Sequence, residues 1–297
     1  MTGVRVRSFG PSVPGIGGVL VLATWLLVAI SSSAQTFNVL VTFNGTNGDD
    51  PEAALVQGTD GNYYGTTFFG GIHVYGTVFK VSPAGELTTL YNFCSTSGCL
   101  DGAMPVGGLL LATNGVMYGT TTAGGANKCT VGTQTQGCGT IFQISPGGAF
   151  TTLYSFAGSD GSFPVGPLVQ GTDGNLYGTT VEGGAADEGT VFMITPSGTE
   201  TVLYSFKDRG KNGGYPFANL INVDGELYGT TAVGGATDNG TVFKITTAGV
   251  ETVLYWFNGG KDGAVPMAGL IYVGGELYGT TVEGGASNNG TVFKVKP

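Results

Sequence analysis

Few side chains of this 297-residue chain belong to the types that commonly carry out chemistry. The only imidazole is His73, in the loop Gly70–Tyr75, and no Gly-x-Ser-x-Gly elbow provides a nucleophile for it to activate. The sequence also lacks a second histidine that could complete a metal site. These observations predict a protein with no catalytic residues and no resident metal or cofactor.

Two carboxylates support the alternative of an enzyme. Glu182 and Glu283 each follow a Tyr-Gly-Thr-Thr tetrad. Paired carboxylates across a central opening are the groups that hydrolyse glycosidic bonds. Both residues occupy the same position of a repeated unit, so repeat identity alone also explains them. An extracellular polysaccharide hydrolase or lyase that uses them is therefore the alternative.

A recurring Asp/Asn-Gly-x-x-Pro pattern supplies three acidic candidates, Asp101, Asp160 and Asp262. Aspartate followed by glycine is typical of tight turns, but a ring of such carboxylates could also contact a ligand or Ca²⁺. No calcium-binding motif accompanies them, so we predict ligand contacts without a metal. The aromatic residues Phe69 and Tyr75, together with Tyr215, are candidates for stacking on sugar rings. Packing between sheets is the competing interpretation of these rings.

Internal repeats determine how these residues are positioned. Two tetrads, Tyr-Gly-Thr-Thr and Gly-Thr-Val/Ile-Phe, each occur five times and divide the chain into units of about fifty residues. The first begins at Tyr64, Tyr118, Tyr177, Tyr228 and Tyr278, and the second at Gly76, Gly139, Gly189, Gly240 and Gly290. A third motif, Leu-Tyr-x-Phe, begins at Leu90, Leu153, Leu203 and Leu254. The second unit has a nine-residue insertion between its two tetrads.

Each unit has the pattern of four β-strands, which we call strands a to d. In the third unit they are predicted at Leu168–Thr172, Asn175–Val181, Gly189–Thr195 and Glu200–Phe206, where β-branched and aromatic residues dominate. One such unit cannot bury both of its faces, so the units must pack on one another.

The phase of the repeats predicts a closed ring. The fifth unit stops at Pro297 after strand c, while Phe37–Phe43 resembles the Leu-Tyr-x-Phe strand. We therefore predict an all-β fold, a five-bladed β-propeller of four-stranded blades. In it, Phe37–Phe43 completes the last blade as strand d and removes the exposed edges.

Residues 1–34 have the features of a signal peptide. Arg5 and Arg7 precede the apolar run Gly17–Ile30, and small residues lead up to Ala34. Cleavage there leaves residues 35–297 as a single propeller domain, with an uncleaved N-terminal anchor as the alternative. We expect the mature protein to be secreted to the extracellular space or cell envelope and to have no membrane attachment.

Charge and cysteine content agree with an exported protein that does not bind nucleic acid. Without Arg5 and Arg7, nine basic residues face twenty acidic ones, a net charge of −11, and no basic stripe remains to neutralise phosphates. The cysteines form two close pairs, Cys94 with Cys99 and Cys129 with Cys138. Such pairs predict two disulfides, since neither has the Cys-x-x-Cys spacing of a metal site.

The repeated unit resembles the GloVer tandem-repeat family of exported bacterial proteins over residues 37–297. The likeness lies in the Asp-Gly-Asn/Glu-Leu-Tyr-Gly-Thr-Thr, double-glycine, Gly-Thr-Val-Phe-Lys and Leu-Tyr-x-Phe elements. The double glycine alone is also similar to Kelch repeats. The resemblance implies an extracellular repeat domain and no particular reaction.

Antiparallel strands place the b–c and d–a loops on one face, which we call the loop face. All four cysteines and the insertion fall on it. Loops of variable length on a rigid scaffold are typical of binding surfaces. We therefore expect a monomeric, non-catalytic protein that binds an extracellular carbohydrate or surface polymer through this face. A polysaccharide hydrolase or lyase is the first alternative, and a structural adhesion or assembly module is the second.

Overall fold

The repeated tetrads form the second and third strands of a series of antiparallel sheets. They are seen in a computed structural model that describes residues 36–131 and 134–297. Four sheets have four strands each and a fifth has three, while a separate two-stranded hairpin occupies the insertion of the second unit. The predicted signal peptide, residues 1–34, lies outside the described residues. Within the described part of the chain, no helix is long and apolar enough to cross a membrane.

The strands are numbered in chain order and grouped by sheet. Sheet 1 contains β1 (Val56–Gln57), β2 (Tyr63–Thr67), β3 (Thr77–Val81) and β4 (Leu87–Asn92). Sheet 2 contains β5 (Leu110–Leu111), β6 (Met117–Thr121), β9 (Thr140–Ile144) and β10 (Phe150–Ser155), and the inserted hairpin contains β7 (Lys128–Val131) and β8 (Gln134–Gly137). Sheet 3 contains β11 (Val169–Gln170), β12 (Leu176–Thr180), β13 (Thr190–Ile194) and β14 (Glu200–Ser205). Sheet 4 contains β15 (Ile221–Val223), β16 (Glu226–Thr231), β17 (Thr241–Ile245) and β18 (Glu251–Trp256). Sheet 5 contains β19 (Ile271–Val273), β20 (Glu276–Thr281) and β21 (Thr291–Val295), and a 3-10 turn covers Ser97–Cys99.

Strand pairing confirms that the described residues form an all-β structure built from antiparallel units. In sheet 3, β11 pairs with β12, β12 with β13 and β13 with β14, in the order predicted for strands a to d. Strand a is shorter than the predicted Leu168–Thr172. The Gly171 N–H donates to the Asn175 carbonyl at 2.9 Å, so the chain begins to turn after two paired residues.

Four hydrophobic layers hold successive sheets together. Each layer combines the tyrosine of strand b and the phenylalanine of strand d from one sheet with leucine and phenylalanine side chains of the next. Between sheets 3 and 4 the layer consists of Tyr177, Val191, Phe206, Leu220, Leu227, Phe243 and Ile245, all at most 1% exposed. Burial of a large apolar side chain contributes about 1.5–3 kcal/mol, so each sheet depends on its neighbours for its stability.

A glycine in strand b allows a phenylalanine of strand c to lie across it. Gly178 is paired with Phe192, and a Cβ at Gly178 would lie only 2.6 Å from Phe192 Cζ and 2.8 Å from Leu168 Cδ2. The Phe192 ring then meets Phe156 of sheet 2 edge to face, with ring centroids 5.2 Å apart. The same geometry recurs in the pairs Phe43–Phe79, Phe93–Phe142, Phe206–Phe243 and Phe257–Phe293.

The segment Val39–Phe43 takes the place of a strand d in front of sheet 1. Phe43 packs edge to face on Phe79 at 5.1 Å. The Leu40 carbonyl approaches Gly85 in the c–d turn of sheet 1, as the Leu90 carbonyl approaches Gly148 in sheet 2. The predicted likeness of this segment to the Leu-Tyr-x-Phe strand therefore extends to its packing.

The outer edge of sheet 5 has no fourth strand in the described residues. Residues 36–44 form no strand, and β21 pairs only with β20. Val292 of β21 is 80% exposed, whereas its equivalent Val242 in sheet 4 is fully buried. In the described residues Val39–Phe43 therefore does not pair with β21. Closure of the ring stays a prediction.

One carboxylate occupies an apolar position between sheets 2 and 3. The first residue of strand d in sheet 2 is Phe150, which stacks on Tyr91 of sheet 1 with centroids 3.7 Å apart. The equivalent first residue in sheet 3 is Glu200, which lies beside Tyr154 of sheet 2. Burial raises the pKa of Glu200 to about 7, and the neighbouring charge of Asp160 adds to the effect. In the described structure the Glu200 Oε1 atom is buried and has no hydrogen-bond partner.

We predict that Gly178→Ala destabilises the protein by about 1–3 kcal/mol, because the new methyl group overlaps Phe192 and Leu168 in a packed layer. Chemical denaturation of the two proteins measures the difference. Gly260→Ala is the matched control, since no atom lies within 4 Å of a Cβ at that position. Equal losses in the two variants would contradict the packing role of Gly178.

We predict that Glu200→Gln removes a loss of stability that the wild-type protein suffers as pH rises. The folded-state pKa is raised, so the folded protein binds the proton more tightly and is destabilised as pH rises from about 4.5 to about 7. Above pH 7 we expect the variant to be more stable by about 1–2 kcal/mol, a value reduced for partial exposure. Thermal denaturation across this range tests the prediction, with the exposed Glu86→Gln as control. Parallel stability curves for wild type and Glu200→Gln would contradict it.

Candidate functional site

A hydrogen-bonded pair of threonines recurs in each of the five sheets at the loop-face end of strands b and c. In sheet 3, Thr180 Oγ1 and Thr190 Oγ1 lie 2.8 Å apart, and the Thr190 N–H donates to Thr180 Oγ1 at 3.1 Å. The Thr190 hydroxyl also donates to the Asp160 carbonyl of the preceding d–a loop at 3.2 Å. These threonines are the last residue of the first tetrad and the second residue of the second, which explains why both recur.

A groove of about 780 Å³ lies on this face beside sheet 1. Its apolar lining comes from the b–c loop and the following d–a loop, and consists of Phe69, Ile72, Val74, Tyr75 and Met104. The segment before sheet 1 adds Gly45, Thr46 and Asp49. Ligand sites are commonly grooves of this size in which apolar and aromatic side chains dominate. The structure therefore brings together two of the predicted aromatic candidates, Phe69 and Tyr75.

The groove exists because the first b–c loop departs from the repeat. Where the third, fourth and fifth units have small and polar residues after the double glycine, this loop has Ile72-His73-Val74-Tyr75. Ile72 is 75% exposed and Val74 is 64% exposed, so apolar side chains project from the loop tip. This departure of the first b–c loop from the repeat is visible in the sequence, and it would have added Ile72 and Val74 to the candidate binding residues.

Backbone bonds hold the loop in a conformation that a β-branched residue seldom adopts. Val74 has a φ of +62°, in the left-handed region. The Gly76 N–H donates to the Gly70 carbonyl at 3.0 Å, and the Ile72 N–H donates to Asn92 Oδ1 at 2.9 Å. Strained residues of this kind persist where the surroundings fix them, and they cluster at binding sites.

The other wall of the groove is the d–a loop that carries Met104. Met104 also has a positive φ, +59°, and its N–H donates to the Tyr75 carbonyl at 2.8 Å. Phe69 packs edge to face on Phe68 and exchanges backbone hydrogen bonds with Asp49. Sequence reasoning did not single out Met104, because its position varies from unit to unit.

The three predicted aspartates hold their own loops. Asp101 accepts hydrogen bonds from Tyr91, Ser95 and Thr96 at 2.6–3.3 Å and is 5% exposed. Burial alone would raise the pKa of Asp101, but these hydrogen bonds outweigh it and lower that pKa below its usual value. The structure thus gives this side chain a loop-stabilising part, as its turn spacing indicates.

The two equivalent aspartates make the same contact with the tyrosine of the preceding strand d. Tyr154 donates to Asp160 at 2.5 Å, and Tyr255 donates to Asp262 at 2.8 Å. For Asp262, burial acts to raise the pKa. Hydrogen bonds from Asn258 and Tyr255 act in the opposite direction and outweigh burial, so the pKa lies below its usual value. Neither aspartate lines the groove.

Tyr215 lies on a different d–a loop, away from Phe69 and Tyr75 in the chain. Arg209 stacks over its ring at 4.6 Å and donates to its hydroxyl at 2.6 Å. The same guanidinium donates to Glu188 at 2.6–2.7 Å. The Tyr215 ring is therefore covered on one side by a fixed cation.

The two glutamates of the enzyme alternative lie in separate loops. Glu182 forms a β-bridge with Ser162, and Glu283 forms one with Ala264. Sheet 4 lies between them in chain order. Burial raises the pKa of Glu182, and the charge of Asp187 adds to this. His73, at the exposed tip of the first b–c loop, does not line the groove.

Both predicted cysteine pairs form disulfides on the loop face. Cys94–Cys99 closes the d–a loop after sheet 1, and Cys129–Cys138 ties the inserted hairpin to sheet 2. Cys138 is fully buried in the layer between sheets 2 and 3. Residues 36–131 and 134–297 contain no group of three His, Cys, Asp or Glu side chains placed to hold a metal ion.

Comparison with known proteins places the chain in a family and in a fold class. A family model described as the Gloeobacter/Verrucomicrobia repeat matches residues 26–133 and 129–297. The comparison with curated proteins found no match. The family resemblance of the repeated unit is therefore confirmed by a match that covers most of the chain.

Solved structures with a similar fold include enzymes and a cell-surface protein. A luciferin-regenerating enzyme aligns with a TM-score of 0.51 and 14% identity, over 84% of this chain and 78% of that one. PorZ, a surface component of the type-IX secretion system of Porphyromonas gingivalis, aligns with a TM-score of 0.50 and 14% identity, over 76% of this chain and 30% of that one. A gluconolactonase from Xanthomonas campestris aligns with a TM-score of 0.48 and 11% identity, over 82% of this chain and 71% of that one. At these identities the likeness shows a propeller-like fold alone.

Proposed function

This chain belongs to the Gloeobacter/Verrucomicrobia repeat family, and we propose that it is a secreted, non-catalytic protein that binds an extracellular carbohydrate or surface polymer through its loop face. The observation that carries the proposal is the groove beside sheet 1. Its ligand is held by contacts with side chains and not by a metal or cofactor.

The chemistry of the groove suits a sugar chain. Sugar rings have apolar C–H faces edged by hydroxyl groups, and the Phe69 and Tyr75 rings, each 37% exposed, offer flat apolar surfaces to such faces. Thr46 and Asp49 add polar groups to the same lining. An apolar groove with few polar groups is the usual pattern for a ligand whose orientation must be fixed.

Charge and export support the choice of partner. A net charge of −9 for the full chain, or −11 after signal cleavage, disfavours nucleic acid as a ligand. Two disulfides are typical of proteins that work outside the cytosol, and the predicted signal peptide provides the route. After cleavage the protein needs no membrane segment to reach a glycan on a neighbouring surface.

We also propose that the functional form is a monomeric, closed, five-bladed propeller. The free edge of β21 lacks the strand d that its four equivalents have, and Val39–Phe43 already packs on sheet 1 as such a strand. Pairing of this segment with β21 would cover Val292 and remove the exposed edge. The loop face would then surround a single central opening.

The binding proposal is tested with mature protein, residues 35–297, and a panel of cellulose, chitin, a β-1,3-glucan and polygalacturonate. Retention on a polymer and release of new chain ends are measured together. We expect retention without release. Release of chain ends would establish the hydrolase or lyase alternative and direct attention to Glu182 and Glu283. Neither retention nor release would favour an adhesion or assembly module.

We predict that Tyr75→Ala weakens retention by about threefold to tenfold, the effect of losing one aromatic contact. Adsorption isotherms on the retained polymer measure this change. Tyr272→Ala is the matched control, because Tyr272 has similar exposure, 42%, and lies in strand a of sheet 5, outside the groove. Equal binding by wild type and Tyr75→Ala would show that the groove is not the binding site.

We predict that a cysteine pair at Val41 and Val292 forms an intramolecular disulfide if the ring closes. The register of the other sheets, in which Tyr204 pairs with Val191, places these two positions opposite each other. Non-reducing electrophoresis and mass spectrometry detect the link. Val41→Cys with Val273→Cys is the control, since Val273 lies on the far strand of sheet 5. Dimers linked through Val41 and Val292 would instead indicate that separate copies pair head to tail.

A further inference from the structure

We infer that Trp256 forms a second carbohydrate contact on the loop face, which takes an uncharged hexopyranose with equatorial hydroxyl groups. This inference rests on the proposed function but concerns a different sheet from the groove. Trp256 is the last residue of β18 and pairs with Thr241 at the loop-face end of β17. It is the only tryptophan in residues 35–297.

In sheets 1 and 3 the position equivalent to Trp256 is a small polar residue that bonds the backbone of the b–c loop. In sheet 1 the equivalent Asn92 accepts a hydrogen bond from the Ile72 N–H at 2.9 Å. In sheet 3 the equivalent Ser205 accepts one from the Ala185 N–H at 2.7 Å. Replacement by tryptophan gives up this loop contact and adds a large ring. The replacement therefore needs an explanation outside the packing of the sheet.

The indole ring is fixed in place and still open to solvent. Its Nε1–H donates to the Lys211 carbonyl of the preceding d–a loop at 3.1 Å. Its Cδ1 atom lies against Gly235 of the b–c loop, 3.1 Å from where a Cβ would be. Even so, Trp256 remains 46% exposed. A rigid, half-exposed ring that loses little conformational freedom on binding is the kind of group that provides a binding hot spot.

Neighbouring polar groups can bond the hydroxyls of a sugar stacked on the ring. Trp256 and Asn258 border a shallow depression of about 280 Å³ along β18. Because β18 is the edge strand of sheet 4, its outer backbone groups have no partner strand there. The depression therefore combines two aromatic side chains, Tyr255 and Trp256, with amide and backbone donors and acceptors, a composition that suits a sugar.

The local charges favour an uncharged ligand. Arg209 is paired with Glu188 at 2.6 Å, and Lys211 Nζ lies 3.8 Å from Asp208 Oδ2. Glu251, at the start of β18, accepts a hydrogen bond from Asn212 at 2.6 Å. These two cations each have an acidic partner and the chain has a net charge of −9, so the surroundings favour an uncharged sugar over a uronate or sulfate group. A hexopyranose with equatorial hydroxyls has axial C–H bonds on both faces and can lie flat on indole.

The single tryptophan makes the test direct. Mature protein is titrated with cellohexaose while tryptophan emission is recorded, and binding is measured in parallel by calorimetry. We expect a saturable change in emission. We expect about tenfold weaker binding for Trp256→Ala, binding within about threefold of wild type for Trp256→Phe, and no change for Tyr272→Ala. Circular dichroism shows whether each variant is folded.

The outcomes separate this inference from the proposed function. Retention on a polymer that depends on Tyr75, with no change in Trp256 emission on adding cellohexaose, would overturn the Trp256 site and leave the groove intact. An emission change with polygalacturonate alone would overturn the assignment of an uncharged ligand. Equal affinities of wild type and a folded Trp256→Ala variant would also overturn the inference. Absence of both polymer retention and an emission change would reject the site and the proposed function together.

Discussion

The contact between a glycine of strand b and a phenylalanine of strand c sets the geometry of every sheet in this protein. Without a Cβ at positions such as Gly178, the Phe192 ring lies across the backbone and still reaches the preceding sheet. Five such rings meet a phenylalanine edge to face at centroid distances of 5.0–5.4 Å. Four of these partners come from the end of the preceding strand d, and the fifth is Phe43. Each sheet is therefore completed by its neighbour. The two tetrads recur together because each supplies one half of this contact.

The same repetition fixes the loop face without using the side chains that a ligand would contact. The Thr190 and Thr291 hydroxyls donate to the d–a loop carbonyls of Asp160 and Asp262. The proline of a d–a loop lies against the first glycine of the second tetrad, as Pro164 does against Gly139. The residue before the proline then adopts a positive φ in the loops of Met104, Phe163, Tyr215 and Val265. Backbone hydrogen bonds offset the strain. The side chain at this position is left to vary, and in the first such loop it becomes part of the groove.

Much of the fold could be predicted from the sequence, because the spacing of the repeated motifs shows where each strand and turn must lie. The strands of sheet 3, the disulfide Cys94–Cys99 and the strand-like packing of Val39–Phe43 all follow from motif spacing. The site was harder to predict, since spacing does not show which side chains a hydrogen bond occupies. Asp101 met the criteria for a ligand contact, but its carboxylate is already bonded to its own loop. Closure of the ring stays a prediction, because the described residues of sheet 5 form three strands and none of them pairs with Val39–Phe43.

A repeat protein offers its own internal reference for separating structure from function. A residue that the units share is accounted for by the structure they share, as the repeated aspartates bond the tyrosine of the preceding strand d. The two glutamates lie in separate loops. A residue that breaks the pattern and loses a structural contact needs another reason. The loop tip Ile72–Tyr75 places apolar side chains in solvent around a strained Val74, and Trp256 removes a loop cap that Asn92 and Ser205 provide elsewhere. Both departures are aromatic or apolar, and both lie on the loop face. Their agreement in chemistry and location supports the proposed binding of a sugar surface.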